Sequence, residues 1–234
     1  MQRRNTLIRR EERASRLFGR LNNSKRYALP AGWQKVKVAN LSKMKKGDMV
    51  LSISRRHTFG GFFSRTVARL TNGEFSHVGA YWGKENGQHL IRDFKGTKGH
   101  RRIDWHALAK TGIDLKVVRW KGATDQQMAD FIYNLERIPI KIGRWYDFPQ
   151  AIGYTKLLRL LKLDLEKFFT CSEYLSTAGS PNKKEIEKHE LKRPKPPLLF
   201  HPTLSPEMVT PAVIDAAVNA GILELVTEQI WKKD

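Results

Sequence analysis

The sequence predicts a mixed fold of helices and strands around one core, and three observations support this prediction. The 234 residues are 40% apolar and 10% aromatic, which excludes a wholly disordered chain and is enough to build a core. The dipeptide Asn86-Gly87 separates two apolar runs and is typical of a tight β-hairpin. Thr124 and Gln127 have the spacing of a helix capping box. At this length we expect one folded domain, at 31–234, after an N-terminal arm at 1–30.

Local patterns place the elements of the first half of this domain. Short apolar runs bounded by turn residues predict strands, and apolar residues spaced three and four apart predict helices. The predicted elements are a turn with a short buried strand at 46–53, a helix at 60–70, a strand at 75–82, its hairpin partner at 89–94 and a strand at 115–120. The first half is therefore rich in strands.

The second half is richer in helices. After the capping box, Met128, Phe131 and Leu135 recur on one face of an amphipathic helix. The remaining predicted elements are a Leu-rich segment at 157–165, a helix that opens at 170 and ends near 179, a polar Pro- and Lys-rich excursion at 183–197, a helix at 210–221 and a strand at 222–226. We expect this last strand to lie at an edge of the sheet.

The charge of the chain is large and positive. There are 43 Lys and Arg residues against 23 Asp and Glu, which gives a formal net charge of +20. Nine of the basic residues lie in the first 26, opposed by Glu11 and Glu12 alone. This composition favours attachment of the arm at 1–30 to nucleic acid, an anionic membrane surface or another anionic polymer. A solvated extension that aids solubility is the alternative interpretation.

Cysteine content and hydropathy exclude several classes of protein. Cys171 is the single cysteine, so an intramolecular disulfide and a structural zinc site built on cysteines are excluded. No apolar run approaches the roughly 20 residues of a transmembrane helix, and the N-terminus lacks the apolar stretch of a secretory signal. We expect no metal, no cofactor and no transmembrane segment, and a cytoplasmic or virion-associated protein.

Cys171 is the first candidate for chemistry. Thr170 and Glu173 stand at N-cap and N3 spacing, which puts Cys171 in the first turn of a helix. The partial positive charge and free N–H groups of a helix start lower the pKa of a thiol and can hold an oxyanion on an attacked carbonyl. The alternative is an inert cysteine buried in the core.

A cysteine nucleophile needs a base, and the base needs a polar group to orient it. His77 is the candidate base because it lies inside an apolar predicted strand; a neutral histidine bonded to a backbone carbonyl is the alternative. On the next strand, alternation of side chains puts His89 and Asp93 on one face and Arg92 on the other. We choose Asp93 as the third member because a carboxylate fixes the tautomer and favours the imidazolium.

Four short segments carry a resemblance to a known family. They are GDMVL at 47–51, GEFSHVGAYWG at 73–83, YDF at 146–148 and FTCSE at 169–173. In this order they resemble the circularly permuted NlpC-type papain-like cysteine hydrolases, the YiiX-like amidases and peptidases, over about residues 40–226. The resemblance implies an α+β fold in which a small antiparallel sheet packs against helices.

The resemblance also implies roles for individual residues. Cys171 would be the nucleophile and His77 the general base. The family's third residue is usually a Glu or His on the strand after the histidine strand, and a gap-free alignment puts Arg92 there. The identity of the third residue therefore stays open. It is Asp93 if a one-residue shift or bulge is allowed, or His89, or the site is a dyad without a third member.

The function implied by the resemblance is hydrolysis of amide bonds, with peptide bonds of peptidoglycan or a related cell-envelope polymer as the leading substrate. Ser172, Tyr146 and Trp82 are expected in the substrate and oxyanion region, although the aromatic residues could equally belong to the core. A lipid acyl hydrolase or acyltransferase, similar to lecithin retinol acyltransferase, is one alternative. The other is a non-catalytic basic or virion-structural protein that binds nucleic acid or another polyanion. A phage or bacterial origin fits these readings best.

Overall fold

The computed structural model describes residues 32–56, 58–94, 100–138, 171–201, 203–204 and 209–233. The candidate residues all lie in one compact unit, Lys35–Lys232. The predicted basic arm and the Leu-rich segment at 157–165 lie outside the described residues.

Within the described residues a seven-stranded sheet forms, in the order β1-β7-β6-β2-β3-β4-β5. The strands are β1 Trp33–Lys37, β2 Met49–Ser54, β3 His77–Glu85, β4 Gln88–Phe94, β5 His100–Asp104, β6 Ile113–Trp120 and β7 Leu223–Lys233. From β7 across to β5 each pairing is antiparallel. Together with the helices, this antiparallel sheet confirms the α+β class.

The described residues form six α-helices, α1 Phe59–Leu70, α2 Trp105–Leu108, α3 Asp125–Arg137, α4 Cys171–Gly179, α5 Lys183–His189 and α6 Pro211–Asn219. Five of these six helices, all except α4, begin after a side chain that accepts a hydrogen bond from their first turn. The capping box predicted at Thr124 and Gln127 is confirmed, with both of its hydrogen bonds formed. Among the described helices, none has the length and apolar character that crossing a bilayer requires.

Both faces of the sheet are covered because successive residues of each strand point to opposite sides. One face packs on the helices in a large cluster that includes Leu51, Val78, Trp82, Phe131, Leu135, Cys171, Tyr174 and Leu175. The other face carries a smaller cluster that includes Val50, Tyr81, Ile91, Trp105, Leu115 and Val117. The candidate cysteine is therefore part of the larger core.

Two of the predictions are wrong. The strand predicted at an edge is β7, and it lies between β1 and β6. The excursion at 183–197 is not a plain polar loop, because its first half forms α5, whose N-cap Asn182 accepts a hydrogen bond from Glu185 N. Its second half is tied to the core through Leu191, which is buried, and through Lys192 N, which donates to Asn134 Oδ1 at 2.8 Å.

Candidate active site

The β3–β4 pair brings His77 and Asp93 together. His77 is the first residue of β3, and Asp93 lies near the end of β4, opposite Gly79. Alternation along β3 therefore puts His77 and Asp93 on the same face of the pair. His77 Nε2 lies 3.0 Å from Asp93 Oδ2, and the Asp93 side chain is 1% exposed. The carboxylate chosen from the sequence is thus the one that contacts the histidine.

Gly79 makes this approach of the two strands sterically feasible. A Cβ atom at Gly79 would lie 2.7 Å from Arg92 O and 3.0 Å from Asp93 Cβ. Real Cβ atoms essentially never approach a backbone oxygen that closely. The glycine inside the strand therefore marks a point of close backbone approach, which is a common meaning of glycine in a strand.

A set of serines fixes the start of β3 and with it His77. Ser76 N donates to Ser52 O at 3.1 Å, and the hydroxyl of Ser76 is hydrogen-bonded to that of Ser64 on α1. The Ser64 hydroxyl also accepts from Ser54 N at 3.0 Å. These bonds join β2, α1 and the residue next to His77. Sequence reasoning missed this role, because serine carries no pattern that distinguishes a buried hydroxyl from an exposed one.

Cys171 is the first residue of α4 and is 2% exposed. Its position in the first turn of a helix agrees with the sequence prediction, while the predicted cap Thr170 lies outside the described residues. The thiol and the His77 imidazole are joined by a side-chain hydrogen bond. Because Nε2 of His77 faces Asp93, Nδ1 is the ring nitrogen left for a bond to sulfur.

The electrostatics of His77 favour the imidazolium. Burial alone would lower the pKa of His77, since it removes water from the charged ring. The negative charge of Cys171, the hydrogen bonds to Asp93 and Cys171 and the charge of Asp93 outweigh burial and raise the pKa from 6.5 to about 10. The balance of these causes favours the imidazolium form of His77 when Cys171 carries a negative charge.

The two alternative third members do not contact His77. His89 lies four residues from Asp93 along β4, about 13 Å at the usual strand rise. Its Nδ1 is 2.7 Å from the hydroxyl of Tyr81. Arg92 points to the opposite face from Asp93, and its guanidinium carbon lies 3.6 Å from the centre of the Trp82 ring.

The structure places the residues expected in the substrate and oxyanion region in different surroundings. Ser172 follows Cys171 in the first turn of α4 and is 2% exposed. Trp82 is 5% exposed and packs in the large core cluster. Tyr146 lies outside the described residues. Among the described residues, no cluster of three or more His, Cys, Asp or Glu side chains could hold a metal ion.

Comparison with protein-family models, with curated proteins and with solved structures gives no match. The comparisons therefore attach no family to this geometry. What the chain does chemically has to follow from the contacts among Cys171, His77 and Asp93.

Proposed function

We propose that this protein is a cysteine hydrolase that cleaves amide bonds with Cys171, His77 and Asp93. One observation carries the proposal: the His77 imidazole is bonded to the Asp93 carboxylate on one side and to the Cys171 thiol on the other, and its pKa is raised to about 10. A thiol beside a protonated histidine is deprotonated near neutral pH and is ready to attack a carbonyl.

In the proposed reaction the Cys171 thiolate attacks the amide carbon, and the carbonyl electron pair moves onto oxygen. The N–H groups at the start of α4 lie at the positive end of the helix dipole and would stabilise this oxyanion. His77 gives its Nδ1 proton to the leaving nitrogen as the C–N bond breaks, which leaves a thioester. A water deprotonated by His77 then hydrolyses the thioester and restores the thiolate. Asp93 holds the ring in place throughout.

The sequence supports the amide class and the finer fold assignment. The histidine strand precedes the nucleophile helix, which is the chain order of the permuted papain-like family that the sequence resembles. The net charge of +20 would concentrate the protein on an anionic polymer, such as a bacterial wall. Peptide bonds of peptidoglycan or a related cell-envelope polymer are therefore the proposed substrate.

The test is the pH dependence of Cys171 alkylation by iodoacetamide, followed by intact-protein mass spectrometry. Cys171 is the single thiol of the chain, so each adduct reports on it. In the wild type we expect the rate to stay high well below pH 8. In His77→Ala it should titrate near the ordinary thiol pKa of about 8.5.

His89→Ala is the matched control, since it removes a partly buried histidine that bonds Tyr81 instead of the thiol. We expect its alkylation profile to match that of the wild type. An unreactive thiol, or one profile shared by the wild type and His77→Ala, contradicts the proposal and favours the non-catalytic polyanion-binding alternative. If the profiles separate, purified peptidoglycan is the first substrate to assay, through the release of new amino groups.

A further inference from the structure

Arg92 is a buried cation that hydrogen-bonds the Tyr174 side chain but uses only part of its hydrogen-bonding capacity. The residue is 9% exposed, and its Nε and Nη1 atoms are buried and have no hydrogen-bond partner among the residues that the structure describes. Glu136, an acidic residue whose charge favours the Arg92 cation, is bonded to Lys46 at 3.3 Å instead. Buried donors are nearly always paired in folded proteins, so two unpaired nitrogens on one guanidinium need an explanation.

Arg119, on β6 of the same sheet, is an arginine whose guanidinium has carboxylate acceptors. Its Nε donates to Asp48 Oδ1 at 2.7 Å, and its Nη2 donates to Asp48 Oδ2 at 2.8 Å. This fork matches the two oxygens of one carboxylate. Arg92 lacks such a carboxylate among the described residues, although it is the more deeply buried of the two side chains.

The surroundings of Arg92 are cationic and aromatic. Its guanidinium stacks on Trp82, and the ammonium of Lys46 lies 4.1 Å from the centre of the same ring. Arg102 stands directly opposite Arg92 on β5. Like charges at opposite positions of a strand pair destabilise a sheet. In this cluster Lys46 and Arg102 have carboxylate partners in Glu136 and Glu85, at 3.3 and 3.4 Å, so an added negative charge would stabilise Arg92 above all.

This cluster is close to the proposed nucleophile. The Arg92 side chain interacts with the hydroxyl of Tyr174 on α4. Tyr174 lies three residues after Cys171, which is about 5 Å along a helix. Trp82, Cys171 and Tyr174 also belong to the same core cluster. A substrate bound with its carbonyl at Cys171 would thus have its neighbouring atoms near the guanidinium.

We infer that Arg92 binds a carboxylate group of the substrate, close to the amide bond that Cys171 attacks. The inference rests on the proposed hydrolase function and narrows its substrate class to peptides with a carboxylate beside the cleaved bond. A guanidinium is always charged and presents fixed donors that match a carboxylate, which would supply the missing acceptors. Because Nε and Nη1 are covered, the carboxylate has to displace the atoms over them when it binds.

The test compares anionic and neutral alkylating reagents of the same size on the wild type and Arg92→Met. Iodoacetate and iodoacetamide form one pair, and 3-iodopropionate and 3-iodopropionamide form a longer one. In each case the C–S bond to Cys171 forms as the C–I bond breaks and iodide leaves. The quantity of interest is the rate of the acid divided by the rate of its amide, at one pH and salt concentration.

We expect this ratio to fall about tenfold in Arg92→Met for at least one pair, the effect of losing a charge-assisted hydrogen bond. Arg102→Gln is the matched control. It removes one positive charge directly opposite Arg92 on the neighbouring strand, from a side chain that is 47% exposed. We expect it to change the ratio less than about twofold, because exposed charges are screened.

An unchanged ratio in Arg92→Met, or equal falls in both variants, overturns the inference, since the second result would reflect only the general positive field. Arg92→Lys is the second variant should Arg92→Met fail to fold. Lysine keeps the positive charge but loses the paired N–H donors of the guanidinium, so we expect a smaller fall in the ratio of acid to amide rates. An unchanged ratio contradicts the inference. The iodoacetamide rate separates the two proposals. If Cys171 titrates like a free thiol while the ratio of acid to amide rates still depends on Arg92, the hydrolase proposal is contradicted. The anion-binding role of Arg92 then stands without it.

Discussion

Two histidines of the same hairpin show how a partner decides chemistry. His77 and His89 each have one ring nitrogen within hydrogen-bond distance of an oxygen, at 3.0 Å to Asp93 and at 2.7 Å to Tyr81. Burial lowers the pKa of both. Around His77 the negative groups outweigh burial and raise its pKa, whereas the charges of Lys84 and His106 lower that of His89 further.

Burial is the largest single cause of the pKa shift at both rings, and the neighbouring negative groups reverse the direction of that shift at His77 alone. Asp93 and Cys171 supply negative charge at one end of the hairpin, and Tyr81 supplies a neutral hydroxyl nearer the turn. Of these two ends, the one at His77 therefore favours a protonated ring beside the Cys171 thiol.

The largest expected effect is the difference between the two titrations. By NMR of histidine-labelled protein, His77 should stay protonated through pH 8 and titrate near 10. His89 should titrate below its ordinary value of 6.5. Spectra of His77→Gln and His89→Gln assign the two rings among the seven histidines of the chain. Titration of both rings near 6.5 would show that the negative charges do not act on His77.

Asp93→Asn should lower the pKa of His77 and leave that of His89 unchanged. Asparagine keeps the size but loses the charge that favours the imidazolium, so the pKa of His77 falls and the thiolate is less populated at low pH. We expect alkylation of Cys171 by iodoacetamide at pH 6 to slow by about tenfold for each unit by which the pKa of the thiol rises.

Asp104→Asn is the matched control for this change. The Asp104 charge raises the pKa of His89, so its loss should lower that pKa further while the alkylation rate stays at the wild-type value. Equal rates in wild type and Asp93→Asn would remove Asp93 from the site.

Gly79→Ala tests whether the close approach of β3 and β4 is needed. The new methyl group would meet Arg92 O and Asp93 Cβ, so the strands must separate. We expect a loss of about 1–3 kcal/mol in the free energy of unfolding, as for other overpacked sites, measured by urea denaturation. Alkylation at pH 6 should slow as well.

Gly87→Asn is the comparison variant for this glycine, since a Cβ at Gly87 in the hairpin turn meets nothing within 4 Å and asparagine tolerates its positive φ. Full stability of Gly79→Ala would show that the strands can adjust without cost.

Ser76→Ala has the smallest expected effect. It removes the hydroxyl that joins β3 to Ser64 on α1, while the backbone bond from Ser76 N to Ser52 O remains. A loss of about 1 kcal/mol in the free energy of unfolding is expected, the typical worth of one hydrogen bond. The exposed Ser42→Ala should lose less. A Ser76→Ala protein with faster alkylation than the wild type would contradict a positioning role.

The elements that sequence reasoning found and missed differ in their local signals. The β2 strand, the hairpin, α1, α3 and α6 carry apolar periodicity, turn dipeptides or capping residues, which act within a few positions. The β1 strand was missed because four of its five residues are exposed, which leaves no alternating pattern to detect. The β5 strand, His100–Asp104, was missed because its basic residues resemble a loop. The α5 helix was missed because prolines follow it closely.

The sequence by itself determined the chemistry that is available: a single thiol, Cys171, at a helix start, and His77 on a strand, of which it proved to be the first residue. It could not determine the third member. A two-residue turn at Asn86-Gly87 pairs Lys84 with His89, and a regular ladder from there would put Asp93 opposite Ala80.

The tertiary structure decided otherwise, because β3 carries a register shift between Tyr81 and Gly83 that pairs Asp93 with Gly79 instead. A one-residue shift moves every later side chain to the other face, so it brings Asp93 to His77 and turns Arg92 towards Trp82. A strand's register depends on packing across the whole sheet, and no short stretch of sequence encodes it.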